Sequence, residues 1–211
     1  MKRLENAKII ISVSGGKDST AMVLHMLELG FTWEQMEMVY MDTGWEHAST
    51  YQYLEYLESF FGEEITRLKS QIPIHPEHKD FILDLERRIG WESPFIRWTV
   101  KKTMFPSRIR KWCTDYLKLQ PFKRYVKNLE DDYVSLVGIR REESARRAKY
   151  PEWEWSDTFD CWVWRPLIDW KEKDVIDIHN RNGLLPNSLY LNGSSRVGCW
   201  PCIYSVKKEI S

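Results

Sequence analysis

The chain has 211 residues, with 31 Lys and Arg against 31 Asp and Glu, so its formal net charge is zero. This length allows one domain with a full core, and the charge balance alone demands neither a nucleic-acid nor a membrane partner. No apolar stretch reaches the roughly 18 residues of a membrane span, and the N-terminus lacks a signal-peptide core. We therefore expect a cytoplasmic protein with reduced or metal-bound cysteines.

Strand and helix patterns alternate over the first third of the chain. Short apolar or β-branched runs predict strands over residues 8–13, 37–41 and 65–68. Apolar residues at helical spacing predict helices over 19–29 and 47–61, each followed by a glycine that suits a helix end.

The remaining chain continues the alternation. Residues 76–128 are predicted to be mostly helical, and residues 150–160 lack a clear period and are predicted to be a loop. Strands are predicted over 133–139 and 163–168, and a helix over 171–182. The repetition predicts an α/β, Rossmann-like fold, in which a parallel twisted sheet carries helices on both faces.

No repeat or linker interrupts the chain, so we predict one domain over 1–211 with a cysteine-containing C-terminal segment over 184–211. Ligands of parallel sheets bind beyond the carboxyl ends of the strands. Three polar segments that follow predicted strands should therefore meet at one edge: SGGKDS at 14–19, DTGW at 42–45 and GIRREES at 138–144.

The SGGKDS loop, residues 14–19, lies between a predicted strand and a predicted helix. Gly15 and Gly16 allow a tight turn that exposes backbone N–H groups, and the helix N-terminus adds partial positive charge. Lys17 adds a full charge. Ile11 stands where a Walker A loop needs glycine, so that motif is excluded. A plain glycine turn is the alternative, but the context favours binding of phosphate or pyrophosphate.

The SGGKDS loop resembles the PP-loop of the adenine-nucleotide α-hydrolase superfamily. Within it, the chain resembles the phosphoadenylyl-sulfate (PAPS) and adenylyl-sulfate (APS) reductase group, in segments that follow in the expected order. They are MDTGWEHASTYQYL at 41–54, GIRREESARRA at 138–148 and RPLIDWKEKDV at 165–175. The resemblance implies an enzyme that binds ATP, or PAPS or APS, with Mg²⁺, and that works at the α-phosphate.

The same resemblance implies a set of site residues. Lys17, Asp18 and Arg140 are the candidate catalytic residues. The candidate nucleotide-binding residues are Ser12, Ser14, Gly15, Gly16, Lys17, Asp18, Ser19, Asp42, Gly44, Gly138, Arg140 and Arg141. The arginines suit this role because a guanidinium can bind phosphate through two hydrogen bonds. Salt bridges from the arginines to Glu142 or Glu143 are the alternative.

The cysteines suggest a metal centre. GCWPC at 198–202 contains a C-x-x-C pair, which alone fits a redox pair, half of a zinc site or iron–sulfur ligands. APS reductases hold a [4Fe–4S] cluster with a mid-chain Cys-Cys pair and a late C-x-x-C. Here Trp112 replaces the first cysteine of the pair. The resemblance therefore implies cluster ligands at Cys113, Cys199 and Cys202, with zinc or free thiols as alternatives.

Two departures from the reductase group bear on the reaction. With three cluster ligands, either Cys161 supplies a fourth or one iron stays open for a sulfide, although we expect Cys161 to be a packed small hydrophobe. Assimilatory reductases also carry a Glu-Cys-Gly-Leu/Ile-His tail whose cysteine attacks the sulfur of the nucleotide. The sequence ends in GCWPCIYSVKKEIS, so we expect the thiol-dependent reductase to be the less favoured function.

Three functions follow as hypotheses. The first is ATP-dependent adenylation with pyrophosphate release, linked to sulfur transfer and to a sulfur donor or thiol reductant protein. The second is PAPS or APS reduction to sulfite, and the third is a non-catalytic nucleotide-binding accessory subunit. For the first, the basic stretch over 101–111 would follow the phosphate backbone of a nucleic acid, and a solvated face is the alternative.

Two further groups of residues are expected to be structural. The clustered tryptophans should pack in the core rather than stack on bases; they are Trp153, Trp155, Trp162, Trp164 and Trp170. His75 and His78 should be surface residues rather than metal ligands.

Overall fold

The computed structural model describes residue 4 and residues 7–205. No helix in that part of the chain is long and apolar enough to cross a bilayer. The chain divides into two compact units. The first comprises Met1–Tyr40, Ser49–Thr66 and Leu129–Val197, and the second comprises Met41–Ala48, Arg67–Asn128 and Gly198–Ser211. The single domain stays a prediction, and residues 206–211 of the predicted C-terminal segment lie outside the described residues.

A six-stranded sheet has the order β3-β2-β1-β4-β6-β5. Its strands are β1 Lys8–Val13, β2 Met36–Asp42, β3 Ile65–Lys69, β4 Tyr133–Val137, β5 Trp153–Ser156 and β6 Cys161–Trp164. β1 pairs in parallel with β2 and β4, and β4 pairs in parallel with β6, whereas β5 runs antiparallel to β6. The mostly parallel sheet confirms the predicted α/β fold.

Eight helices accompany the sheet in the described part of the chain. They are α1 Lys17–Glu28, α2 Ala48–Phe61, α3 Lys79–Ile89, α4 Pro94–Lys102, α5 Trp112–Thr114, α6 Gln120–Val126, α7 Glu172–Asn182 and α8 Ser188–Leu191. A π-helical segment, Asp115–Leu119, joins α5 to α6. The predicted boundaries in the first unit agree to within two residues for α1, α2 and α7.

The central strands explain why the sequence signal is strong there. Ile9, Ile10 and Ile11 of β1 are at most 1% exposed, and Leu136 of β4 is fully buried. A strand inside a parallel sheet is covered on both faces, so it needs a continuous apolar run rather than alternation. α1 contributes Met22 and Met26 to the same core.

The loop predicted over 150–160 is wrong in part, because β5 lies within it. β5 is an edge strand, and its WEWS sequence does alternate apolar and polar residues, but over only four positions, which is a weak signal. The indole of Trp153 stacks on that of Trp164, with ring centroids 4.8 Å apart. Trp155 meets Trp162 edge to face at 5.5 Å. The expected packing role of Trp162 and Trp164 is confirmed, whereas Trp155 is 46% exposed.

The second unit has its own small core. Phe95 of α4, Trp112 of α5 and Leu117 of the π-helical segment are all buried. Trp45 stacks on Phe95 with ring centroids 4.7 Å apart. This confirms the mostly helical middle of the chain.

A substitution in the central sheet tests the core. Leu136→Ala removes a fully buried side chain from β4, and we expect it to lower the free energy of unfolding by about 2–5 kcal/mol. Leu191→Ala, at a residue 77% exposed, is the matched control and should change that free energy by less than about 0.5 kcal/mol. Urea unfolding followed by circular dichroism measures both. Equal losses in the two variants would contradict the core described above.

Candidate functional site

The SGGKDS loop connects β1 to α1 in the first unit. Gly15 has φ +71, a conformation that favours glycine. The Ser19 hydroxyl donates to the Gly16 carbonyl at 2.8 Å, and the Ser14 N–H donates to the Ser19 oxygen at 3.1 Å. These bonds fix a tight loop at the N-terminus of a 12-residue helix, where phosphate groups commonly bind.

The chain after β4 packs closely against this loop. A Cβ built on Gly138 would lie 2.9 Å from the Asp18 carbonyl oxygen and 3.1 Å from the Ser19 Cα. These are backbone atoms that cannot move without displacing the first turn of α1. A glycine at position 138 therefore allows the approach, and the structure brings this predicted residue to the loop.

Arg140 is the buried cation of the site, at 4% exposure. Its Nε lies 2.5 Å from Asp18 Oδ1, and another guanidinium nitrogen pairs with the Glu142 carboxylate. Burial acts to lower the pKa of Arg140, but the hydrogen bond and charge of Asp18, with those of Glu142, outweigh it and raise the pKa. The predicted residues Arg140 and Asp18 thus form one charged unit at the first turn of α1.

Lys17 is engaged by two other parts of the first unit. Its Nζ lies 2.9 Å from Glu172 Oε1 of α7, and its backbone N–H donates to the Tyr190 hydroxyl at 3.1 Å. Burial acts to lower the pKa of Lys17, but the hydrogen bond to Glu172 and the surrounding charges raise it. The lysine is therefore a cation at neutral pH. Its ammonium and its backbone N–H, the donors that a phosphate would use, are bound to Glu172 and Tyr190.

A buried histidine of α7 is hydrogen-bonded to α1, the helix that follows the SGGKDS loop. His179 of α7 has Nδ1 2.7 Å from the Val175 carbonyl and Nε2 2.7 Å from the Thr20 hydroxyl. The carbonyl can only accept, so we assign the proton to Nδ1 and the accepting role to Nε2. Burial lowers the pKa of His179. A neutral ring thus joins α7 to α1 one turn beyond Lys17.

A cavity of about 380 Å³ lies beside Lys17. Val175, Leu184 and Pro186 form part of its apolar wall, and His179 also lines it. The volume falls within the usual range of small-molecule pockets. The first unit therefore has space for an organic group next to the loop.

Two predicted residues of the first unit lie in other surroundings. Ser12 lies within β1, where its register partners are Val39 of β2 and Val137 of β4. The Arg141 Nε lies 2.6 Å from Asp169 Oδ1, and another guanidinium nitrogen donates to the Tyr150 carbonyl at 2.6 Å. The partner of Arg141 is therefore Asp169 rather than the Glu142 or Glu143 of the salt-bridge alternative, whereas Arg140 does pair with Glu142. Binding of nucleotide by Arg141 stays a prediction.

Asp42 and Gly44 belong to the second unit, where they shape the DTGW turn. Asp42 accepts a hydrogen bond from the Gly44 N–H at 2.9 Å and pairs with Lys69 at 3.0 Å. Gly44 has φ +68, and a Cβ on it would lie 2.7 Å from Pro94 Cδ. Both residues therefore stabilise the conformation of this turn, and their contact with nucleotide stays a prediction.

The DTGW turn also contacts the GCWPC segment. Glu46 forms an isolated antiparallel bridge with Cys199, and the Trp200 N–H donates to the Trp45 carbonyl at 2.8 Å. The Thr43 hydroxyl lies 3.8 Å from Cys199 Sγ. This pairing could not be predicted from local sequence patterns, because the partners are more than 150 residues apart.

The predicted metal ligands Cys113, Cys199 and Cys202, the cysteine cluster, all influence the pKa of one side chain, Lys118. Negative charge at Cys199 is the largest influence that raises the pKa of Lys118, and the other two thiols and Glu46 act in the same direction. Burial raises the pKa of the Cys113 and Cys199 thiols, and Lys118 opposes that rise. The three thiols are therefore near enough to the Lys118 ammonium for its charge and theirs to interact.

Their spacing bears on which group they fit. Among the described residues, one set of three ligand-type side chains has donor atoms all within 4.8 Å of one another: His75, Glu77 and His78. The cysteine cluster is not such a set, whereas a tetrahedral zinc ion would hold its sulfurs about 3.8 Å apart. The three sulfurs are therefore not all as close together as the ligands of one zinc ion would be, and their binding of a [4Fe–4S] cluster stays a prediction.

Cys161 differs from the other three cysteines. It lies in β6 of the first unit and is 2% exposed. Burial raises the pKa of its thiol. This confirms the expectation that Cys161 is a packed small side chain.

Sequence reasoning missed Glu172, Tyr190 and Lys118. Tyr190 is 173 residues from Lys17, so no local pattern could link the two. Lys118 follows Cys113 within the short helical run that includes the π-helical segment. That proximity along the chain was the one signal available.

Comparison with known proteins adds to this picture. A family model described as the phosphoadenosine phosphosulfate reductase domain matches residues 8–205. An uncharacterised protein of Escherichia phage 186 is 33% identical over 96% of this chain, which covers 69% of the phage protein. The chain covers only 36%, 44% and 60% of three further relatives that it matches.

The chain is also similar to a relative and to a solved structure that are both named as reductases of a sulfate-bearing nucleotide. The adenosine 5′-phosphosulfate reductase of Allochromatium vinosum is 28% identical over 79% of this chain, which covers 57% of the reductase. The crystal structure of a phosphoadenylyl-sulfate reductase from Candida auris has TM-score 0.64 and 16% identity, covering 92% of this chain and 82% of that one. The latter match establishes the fold alone.

The buried histidine predicts a pH dependence. Because the folded-state pKa of His179 is below its ordinary 6.5, the unfolded chain binds the proton first. Its contribution to stability is complete above pH 6.5 and declines as the pH falls below that value. We expect the melting temperature of the wild type to fall relative to His179→Gln between pH 7.5 and 5. A difference that stays constant, or grows in favour of the wild type, would contradict a neutral buried ring.

Proposed function

Since the chain belongs to the phosphoadenosine phosphosulfate reductase domain family, we propose that it is a PP-loop enzyme that uses ATP to activate an acceptor. The observation that carries this proposal is the SGGKDS loop, with Lys17 at its helix and Arg140 held at 2.5 Å from Asp18. Two cations and a helix N-terminus meet there. That combination suits a polyphosphate rather than a single carboxylate.

The chemistry is adenylyl transfer. An acceptor oxygen forms a bond to the α-phosphorus of ATP, and the bond from that phosphorus to the bridging oxygen breaks, so that pyrophosphate leaves. Charge grows on the leaving group in the transition state. Loop N–H groups, Lys17 and the N-terminus of α1 would stabilise that charge, because they are already oriented by the fold.

Charge balance supports the Mg²⁺ complex of ATP as the substrate. The carboxylates of Asp18, Glu142 and Glu172 outnumber the two cations they pair with, Lys17 and Arg140. An unshielded polyphosphate would be repelled by this excess of negative charge. A magnesium complex carries less net charge and so competes better for the cations.

Sulfur transfer is the second part of the proposal. Cys113, Cys199 and Cys202 would hold a [4Fe–4S] cluster, with Lys118 offsetting its negative charge. When bound, such a cluster supplies electron transfer or an iron that can bind a sulfide. A sulfur donor or thiol reductant protein is the expected partner, and a sulfur nucleophile would replace AMP on the activated acceptor.

Reduction of PAPS or APS to sulfite is the second candidate. The 28% identity to an adenosine 5′-phosphosulfate reductase favours it, as does the grouping of three cysteines with a lysine. In the reductase, the phosphosulfate of PAPS or APS would bind where the adenylation enzyme binds pyrophosphate. The two therefore differ in which nucleotide binds and which product appears.

Lys17→Ala tests the loop in both candidates. We expect at least a tenfold loss of affinity for the preferred nucleotide, because a partly buried cation is removed from its phosphates. Lys173→Ala, an exposed lysine of α7, is the matched control and should bind as the wild type does. Calorimetry with ATP, APS and PAPS, each with Mg²⁺ and anaerobically purified protein, measures this affinity.

The outcomes separate the candidates. Preferential binding of ATP, with AMP and pyrophosphate formed when the acceptor is present, is the result we expect. Preferential binding of APS or PAPS with sulfite formed would replace it with the reductase. An accessory subunit would bind nucleotide but form no product with any acceptor or reductant. Its partner protein would also keep its activity with the Lys17→Ala variant. Binding of none of the three would refute the loop as a nucleotide site.

A further inference from the structure

A run of cations in the second unit has no carboxylate partner among the described residues. Residues 101–111 contain no Asp or Glu and five cations, which define the basic surface: Lys101, Lys102, Arg108, Arg110 and Lys111. Four of these are exposed, and Lys102 is half-buried. Within the described part of the chain, none of the five forms an ion pair with a carboxylate. Their polar contacts are to a phenol oxygen, a backbone carbonyl and a thioether.

Three arginines in the segment after β4 behave differently. Arg140 pairs with Asp18, Arg141 with Asp169, and Arg147 with Glu143. Those cations are already neutralised and hold the fold together. The chain has zero net charge, but these five cations lack a carboxylate partner within residues 7–205, and together they present a local site for an anion.

Aromatic rings alternate with the cations on this surface. Lys102 Nζ lies 4.3 Å from the centroid of the Tyr116 ring, and Lys101 Nζ lies 4.9 Å from that of Trp98. Lys111 Nζ lies 5.3 Å from the Tyr204 centroid. Cations that track phosphates, interleaved with rings on which unpaired bases stack, are the combination found in surfaces that bind single-stranded nucleic acid.

The basic surface adjoins the cysteine cluster along the chain. Lys111 precedes Cys113 by two residues, and Tyr204 follows Cys202 by two residues. The Arg108 Nε also donates to the Ile203 carbonyl at 3.1 Å, which ties the two segments together. A strand bound here would therefore bring its bases close to the thiols.

We propose that the second unit binds a single-stranded segment of nucleic acid across the basic surface, with a base stacked on Tyr204. The identification of that nucleic acid as the acceptor for sulfur rests on the proposed function, but the binding does not. The shared chemistry is a phosphodiester backbone with unpaired bases, which both RNA and DNA supply. An acidic protein would satisfy the cations but not the rings, so we favour nucleic acid.

The test is fluorescence anisotropy with labelled 12-nucleotide single strands of RNA and of DNA, without ATP, over 50–300 mM salt. Each phosphate contact on a single strand contributes about −0.7 to the slope of log affinity against log salt. Contacts from all five cations would give a slope of about −3.5. Lys101→Gln with Arg110→Gln removes two contacts, so the slope should fall in magnitude by about 1.4.

Two variants make the result specific. Arg87→Gln with Arg88→Gln removes the same charge from α3 in the same unit, where both arginines pair with Asp84. This control should leave slope and affinity unchanged. Tyr204→Leu keeps an apolar side chain but removes the ring, and we expect about a fivefold or greater loss of affinity with an unchanged slope. The RNA and DNA arms identify which strand binds better.

Several results would overturn the proposal. These are absence of salt-dependent binding, an equal loss in the Arg87 and Arg88 control, or tighter binding of a duplex than of either single strand. Binding of heparin that matches the single strands, with Tyr204→Leu unaffected, would identify a surface for an acidic partner instead. Lys17→Ala should bind the strands as the wild type does, so failure of the loop and failure of this surface are distinguishable.

Discussion

The ion pair between the buried Arg140 and the partly buried Asp18 is the constraint on which the candidate nucleotide site depends. It joins the segment after β4 to the first turn of α1, where Gly138 already approaches the helix backbone to within van der Waals contact. Removing Asp18 would leave the buried Arg140 guanidinium with Glu142 as its remaining carboxylate partner, and a buried charge that loses a partner is costly in protein interiors. The fold thus fixes the position of a cation beside the SGGKDS loop before any ligand arrives.

In the same site, other side chains of the protein already bind the hydrogen-bond donors of Lys17. Tyr190 accepts from the Lys17 N–H, and Glu172 holds the Lys17 ammonium. A phosphate must therefore exchange these internal partners for its own oxygens rather than enter a vacant pocket. The net gain on binding is smaller than the number of contacts suggests, because each new hydrogen bond replaces an existing one. This favours a ligand with several phosphates, which can replace all of these partners together.

The sequence predicted those features that depend on residues close together along the chain. The continuous apolar runs of β1 and β4 and the glycine turn between β1 and α1 follow from burial and backbone freedom, and both were predicted. The edge strand β5 was missed because its alternation of apolar and polar residues extends over only four positions. Arg140 and Arg141 look equivalent in sequence, yet Arg140 is buried against Asp18 and Arg141 is engaged by Asp169. Such differences depend on partners that folding brings from distant positions, as with Tyr190 and Lys17.

A crystal structure of the protein with pyrophosphate and Mg²⁺ tests the central claim most directly. If the SGGKDS loop holds the leaving group, pyrophosphate oxygens will accept from the Lys17 N–H and ammonium, and the Tyr190 hydroxyl and Glu172 carboxylate will have moved away from them. Pyrophosphate bound elsewhere, with Lys17 still held by Tyr190 and Glu172, would contradict the assignment of this loop as the phosphate site.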